Sequence, residues 1–265
     1  MKTITIANQK GGCGKTTTAL MLAYGLAEAG YRTLLIDMDS QENSSWTLGK
    51  SGADEGGKTT SGEFFSPQLF SGWQNPTPSD PNLFWCALIS PLPDRRQNLP
   101  LSALRDALGQ LEERFDYVIL DTAPALGRTL LMALMASDGV IIPMLADIYS
   151  MQGLAMEAET IEECRKRGNP SLRICGLLLC RYSGRSRLSR SIREQLEQYA
   201  GKVGTKVYQS TIRESVIIRE CQYLRKNLFR DYAKEKVTED ARAFIREFLQ
   251  DMKEEEGCRI ELYTV

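Results

Sequence analysis

Gln9-Lys10-Gly11-Gly12-Cys13-Gly14-Lys15-Thr16-Thr17 follows directly on the strand-like Thr3-Ile4-Thr5-Ile6. An apolar strand, a glycine-rich turn and a helix opening on Gly-Lys-Thr make a phosphate-binding loop. A triphosphate concentrates several negative charges and needs many donors in a small volume. Gly11, Gly12 and Gly14 carry no Cβ, so they can take φ > 0 and bring the backbone close to the phosphates. Successive N–H groups, including that of Cys13, then point inward as an anion-binding nest. A helix starting near Lys15 places its positive dipole end under the same phosphates. Lys15 supplies a charge for the β- and γ-phosphates, and the Thr16 hydroxyl suits a Mg²⁺ ligand. Thr17 can donate to the α-phosphate. The loop departs from the ordinary pattern in one respect: its first glycine would fall at Gln9, and Lys10 stands next to it. Two lysines therefore flank one turn.

Working outward, two apolar strands end in carboxylates. Tyr117-Val118-Ile119-Leu120-Asp121 continues into the stiff turn Thr122-Ala123-Pro124, and Leu34-Leu35-Ile36-Asp37 continues Met38-Asp39. In P-loop proteins a strand-ending aspartate such as Asp121 supports Mg²⁺. Asp37 and Asp39 lie at i and i+2, so on a strand they share a face; one can sit near the metal while the other orients a water. Each could instead serve only as a helix cap or turn residue.

Strand and helix patterns alternate along the chain. Thr3–Ala7, Thr33–Asp37, Tyr117–Asp121, Gly139–Pro143 and Leu172–Leu179 read as strands, with shorter ones near Leu83–Ile89 and Lys206–Tyr208. Lys15–Ala29, Leu101–Arg114, Gln152–Arg167, Ser189–Tyr199 and Thr238–Lys253 read as helices. Continuous apolar strands between helices predict an α/β fold: a mostly parallel twisted sheet with helices on both faces. Ligands on such sheets sit at the carboxyl ends of the strands, where the loop, Asp37 and Asp121 all fall. The chain reads as one domain, interrupted at 49–100 by an irregular insertion that holds seven of the ten prolines and several aromatics.

Composition removes whole classes of chemistry. The 265 residues include no histidine, which excludes Ser-His-Asp triads and histidine metal sites. Seven cysteines without a CxxC pair suggest reduced thiols in a cytosol. No run of about 18 apolar residues predicts a spanning helix, and the immediate opening strand does not read as a secretory signal. Net charge is −1, yet residues 181–230 hold 12 Lys/Arg against 4 Asp/Glu, a local +8 that leaves −9 for the remainder. That split predicts a basic face on an acidic body.

Asn8 to Thr17, with Asp37-Met38-Asp39-Ser40-Gln41 and Asp121-Thr122-Ala123-Pro124, resembles the ParA family of DNA-partitioning ATPases, deviant Walker A proteins related to MinD and the nitrogenase iron protein. Ile212 to Cys221 also looks like the ParA region before the last helices. With no N-terminal DNA-binding extension, the chain resembles the short form. The resemblance implies ATP/ADP and Mg²⁺ as cofactors and a homodimer in the ATP state. It implies that Lys10 reaches the partner's nucleotide while Lys15 serves its own, that Thr16 and Asp121 hold Mg²⁺ with Asp37 close by, and that Asp39 positions the hydrolytic water. Adenine is expected against Cys180-Arg181 and Ile212-Arg213-Glu214. Ser40 and Arg213 stand where many members have proline. The family's non-specific, ATP-dependent DNA binding gives the basic segment a use, with Arg185, Arg187, Arg190, Arg213, Arg219, Arg225 and Lys226 as candidates. A ParB-like centromere-binding protein is the implied partner, and a cytoplasmic, nucleoid-associated ATPase that segregates or positions DNA is the implied whole.

Three other members of this branch fit less well. A MinD-like membrane switch needs a basic amphipathic C-terminal helix, whereas Asp251 to Glu256 is acidic. An electron-transfer protein needs paired interface cysteines; Cys86 lies in the insertion, with no suitable second cysteine after Asp121. A non-hydrolysing adaptor would lack Lys15 or Asp39.

Overall fold

The computed structural model describes residues 1–49, 80–87, 100–147 and 149–256. Six parallel strands form one sheet: β1 (Lys2–Ile6), β2 (Thr33–Asp37), β3 (Leu83–Ala87), β4 (Tyr117–Asp121), β5 (Gly139–Leu145) and β6 (Arg173–Cys180), in the order β3-β2-β4-β1-β5-β6. The expected parallel α/β architecture is therefore present.

Alternation along the strands divides the core between two faces. Ile4, Ile6, Leu35, Ile119, Ile141 and Leu178 meet helices α1 (Lys15–Glu28) and α9 (Lys236–Glu256). Leu34, Ile36, Val118 and Leu120 point the other way, toward α3 (Ala103–Gly109) and α4 (Arg128–Ala136). Val140, Ile142, Leu177 and Leu179 join them against α4, α5 (Ser150–Arg167) and α6 (Arg187–Lys202). Both faces are thus covered, as continuous apolar strands require. Gly25 lets α1 and α9 approach: a Cβ there would stand 2.5 Å from Ile245 Cγ1.

Several elements were not legible. Helices α2 (Asn43–Leu48), α7 (Val216–Tyr223) and α8 (Leu228–Asp231) are short, and α4 begins immediately after the turn that follows Asp121. The helix expected over Leu101–Arg114 spans only Ala103–Gly109 before breaking into turns. The expected strand at Lys206–Tyr208 is a single bridge, Leu177 to Val207. The strand expected at the end of the insertion is β3, which pairs in parallel with β2; Phe84 on it packs edge-on against Phe115 at 5.4 Å. Most of 49–100 lies outside the described residues.

The register positions the site. Ile6 pairs with Asp121, and Asp121 pairs with Asp37. Three adjacent strands therefore end in one row, and the phosphate loop leaves from that row.

Far from this row, Phe244 on α9 is fully buried and meets Tyr208 edge-on at 5.1 Å. Phe244→Ala should cost about 3–5 kcal/mol, read as a lowered denaturation midpoint without loss of nucleotide binding by the remaining folded protein.

Candidate phosphate-binding site

Gly12 (φ 71°) and Gly14 (φ 101°) adopt the left-handed conformation expected of the loop; Gly11 does not. A Cβ on Gly14 would press against Cys180 Sγ at 3.2 Å, so this glycine is required by packing as well as by its φ. Gly14 caps α1, and the first helical bond is Thr18 N–H to the Gly14 carbonyl at 2.8 Å. The amides just before Thr18 therefore have no intrahelical acceptor and frame the anion site. The loop's entry is fixed by Asn8: its Nδ2 donates to the Pro143 carbonyl at 2.7 Å, and its Oδ1 accepts from Lys10 N–H at 2.8 Å.

The two lysines face different ways. Lys15 is 7% exposed, and its ammonium donates to the Lys10 carbonyl at 2.9 Å. It is folded into the loop it would share with a phosphate. Lys10 is half-buried on the loop's outer side. Its ammonium pairs with Asp147 at 2.5 Å, with the Tyr149 ring 5.9 Å away. Burial alone would raise the Asp147 carboxyl, but hydrogen bonds from Lys10 and Ser150 overcome it and hold the group below its usual range.

The carboxylates divide by how well they are satisfied. Asp37 is buried and accepts two backbone bonds, from Asp39 N–H at 3.1 Å and Ser45 N–H at 2.7 Å. It thereby caps the first turn of α2 from outside, so its structural reading is realised. Asp39 Oδ1 holds Gln41 N–H at 3.0 Å; among the described residues its other oxygen has no hydrogen bond. Asp121 is fully buried, and among the described residues neither oxygen has a hydrogen-bond partner. Burial, and then the charge of Asp37, push its carboxyl up to about 7. The Thr16 and Ser44 hydroxyls oppose that rise by proximity without reaching hydrogen-bond geometry.

A divalent cation fits this arrangement. Buried carboxylate oxygens without partners are rare and costly. The orphaned Asp121, the adjacent Asp37 and the Thr16 hydroxyl offer the hard oxygen donors that Mg²⁺ takes together with water. Among the described residues no cluster of three or more His, Cys, Asp or Glu forms a complete metal cage, which suits an ion that also binds a phosphate.

Two cavities open from the loop. One of about 490 Å³ is lined by Lys15, Thr16, Asp39, Trp46, Pro124 and Tyr223, among others. The other, about 230 Å³, brings together Cys180, Arg181, Ile212, Arg213 and Glu214, the residues expected around adenine. A bridge between Cys180 and Ile212 creates this juxtaposition, which no local pattern specifies. Arg181 pairs with Glu214 at 2.9 Å, and Arg213 makes a bidentate pair with Asp240 on α9. Gln222 lines both cavities and donates to Thr17 Oγ1 at 3.2 Å.

The basic candidates come from two stretches of the chain. Arg185, Arg187 and Arg190 stand at the start of α6, where Arg190 donates to the Gly184 carbonyl. Arg213 and Arg219 line the smaller cavity, with Arg225 and Lys226 just beyond α7. Arg225 stacks on Trp46, its guanidinium 3.8 Å from the ring centroid, and Lys226 lies near Tyr232. Sequence reasoning missed Asn8, Asp147, Glu157 and Gln222. All but Asn8 come from elements remote in sequence; only Asn8 carried a local signal, as a polar residue ending an apolar strand.

Loop, strand-end carboxylates and parallel sheet together define a P-loop nucleotide-binding protein. A family model described as the CobQ/CobB/MinD/ParA nucleotide binding domain matches residues 4–226, and the chain belongs to this family. The chromosome partitioning protein ParA of Myxococcus xanthus is 33% identical over 255 residues, covering 93% of this chain and 87% of its own. Among solved structures, a Borrelia burgdorferi protein described as a plasmid partition protein, bound to AMPPNP, superposes with a TM-score of 0.71 at 26% identity, over 96% of this chain and 99% of its own. Cobyrinic acid a,c-diamide synthase of Mycobacterium smegmatis, with a bound ATP analogue and magnesium, gives 0.72 at 25% identity over the whole of both chains.

The Asp121 shift has a stability consequence. Its folded-state pKa lies above its ordinary value of 3.8, so between about pH 4 and pH 7 the native state binds the extra proton and stability falls as pH rises. Asp121→Asn should therefore raise the melting temperature in chelator at about pH 8, with the difference from wild type vanishing toward about pH 4.

Proposed function

We propose that this chain is a Mg²⁺-dependent ATPase that dimerises on ATP, binds DNA without sequence preference in that state, and segregates or positions plasmid, mobile-element or chromosomal DNA. The observation that carries this reading is the pair of lysines on one loop: Lys15 buried and bonded to the loop's own carbonyl, Lys10 half-buried and paired with Asp147 beside the Tyr149 ring, an ion pair that can exchange. A single nucleotide within one subunit needs the first; the second suits a nucleotide presented by another copy. Kinship with ParA proteins supports the partitioning role.

The chain's own residues suggest the division of labour. Lys15 exchanges the Lys10 carbonyl for phosphate oxygens, and the amides at the start of α1 hold the remaining charge. Thr16 and Asp121 would hold Mg²⁺ with Asp37 close by, and the bound ion would supply charge screening for the phosphates. Asp39, at the edge of the cleft with one oxygen unengaged, orients the attacking water. Lys10 leaves Asp147 for the partner's nucleotide, which makes hydrolysis slow in a lone subunit. Adenine occupies the cavity at Cys180, Arg181 and Ile212–Glu214. Arg185, Arg187, Arg190 and Arg219 are the favoured DNA contacts, since Arg213 is already committed to Asp240 and Arg225 to Trp46. A ParB-like partner would stimulate hydrolysis and release the dimer from DNA, leaving a cytoplasmic protein that is nucleoid-associated only with ATP. Among the described residues no helix is long and apolar enough to cross a membrane.

DNA co-sedimentation with ATP, with ADP and without nucleotide, across a salt series, tests this function. Binding with ATP alone, falling steeply as salt rises, is expected; equal binding in all three states, or none with ATP, would exclude it. Asp39→Ala should retain ATP binding while slowing hydrolysis by about a hundredfold or more, so that the protein stays on DNA. Hydrolysis at the wild-type rate would remove Asp39 from the water-positioning role.

A further inference from the structure

Glu157 is a second buried carboxyl that the proposed chemistry does not use. It lies on α5, is fully buried, and among the described residues neither oxygen has a hydrogen-bond partner. A carboxyl in that condition is costly to keep, so its retention calls for a physical reason.

Its surroundings supply one. Gly153, Glu157 and Thr160 follow one another along one face of α5 at helical spacing, and that face lies against the phosphate loop. A Cβ on Gly153 would meet Asn8 Oδ1 at 3.8 Å, and Gln9 Nε2 donates to Thr160 Oγ1 at 3.2 Å. Between these two contacts Glu157 faces the loop from below. The groups that act on it are the Gln9 backbone N–H, then the Lys15 ammonium, then the Gln9 side chain, none in full hydrogen-bond geometry; it acts in turn on the Cys13 thiol of the loop and on Cys164 of its own helix. Lys15 is therefore the cation it faces, and among the described residues no other carboxylate acts on it.

We propose that Glu157 is the positioning residue of the phosphate loop, balancing Lys15 when no nucleotide is bound and taking up one proton from solvent as a triphosphate enters. The inference rests on reading the loop as a triphosphate site. Without nucleotide, burial raises the carboxyl, and the Gln9 backbone N–H and the Lys15 charge oppose it, which leaves the group at about 7. A triphosphate on Lys15 adds several negative charges nearby and removes the benefit of ionisation. The carboxylate then accepts a proton from water or buffer acid and becomes a neutral carboxyl, so no unpaired buried anion remains beneath the phosphates. Because the bound-state pKa is the higher, this contribution to affinity is complete below about pH 7 and is lost as pH rises through the bound-state value.

Calorimetric titration of the full chain with ATP in chelator, at about pH 7.5 in buffers of different ionisation enthalpy, counts the protons exchanged on binding. Leaving out Mg²⁺ keeps the metal carboxylates from responding to an arriving ion, and comparison with Glu157→Gln cancels the protons carried by ATP itself. Wild type should take up a sizeable fraction of a proton more than Glu157→Gln. Its ATP affinity should fall several-fold more than the variant's between about pH 6.5 and pH 8.5. Glu157→Leu, which fills the space without a buried amide, should behave like Glu157→Gln. Equal proton counts in wild type and a folded variant that binds ATP would overturn the role of Glu157 while leaving the triphosphate site intact. Should both variants fail to fold, a wild-type count no greater than the proton change of free ATP overturns it equally. A wild-type protein that fails to bind ATP refutes the underlying site instead.

Discussion

The central constraint is charge crowding at three strand ends. Parallel pairing places Ile6, Asp121 and Asp37 in one row, and the loop that follows Ile6 adds two lysines and a helix N-terminus. Such groups can share a small buried volume only if each is compensated. Lys15 meets a carbonyl, Lys10 meets Asp147, and Asp37 meets two backbone amides. Asp121 is left without a partner, as is Glu157 beneath the loop. The fold thus holds two lysines that phosphate oxygens can claim and a carboxylate that a metal can claim.

The rest of the architecture serves this row. The sheet carries it on strands buried on both faces, so the strand ends cannot shift independently. Helix α1 sets the loop's exit, Asn8 and Pro143 set its entry, and α5 supports it from below. The segment from Ile212 to Gln222 closes the remaining side through the bridge to Cys180 and the bond from Gln222 to Thr17. Residues from positions 8 to 222 therefore converge on one turn, although only nine consecutive residues announce it in sequence.

What was legible follows from locality. The loop, the strand-end aspartates and the alternating apolar strands depend on nearest neighbours and helical or strand periodicity, so β1, β2, β4, β5 and β6 were readable to within a few residues. What was not legible depends on tertiary contact. Helices α2, α7 and α8 are too short for periodicity to declare them. The break at Gly109 does carry a stop signal, a glycine inside the predicted helix that periodicity passed over, and the Lys206–Tyr208 segment makes one bridge where its composition suggested a strand. At the site, the pairing of Asp147 with Lys10 spans 137 residues, and the burial of Glu157 is invisible on a helix that reads as amphipathic. The charge excess at 181–230 was real in count, but part of it is already engaged, with Arg213 and Arg225 bound to Asp240 and Trp46.

The account turns on Lys10 and Lys15 serving two different nucleotides. Light scattering of the wild type and of Lys10→Ala, each with ATP and with ADP, measures this most directly. The account predicts that wild type doubles in mass with ATP alone, and that Lys10→Ala still binds ATP yet remains at the mass of one chain. A Lys10→Ala protein that doubles with ATP as wild type does would contradict it.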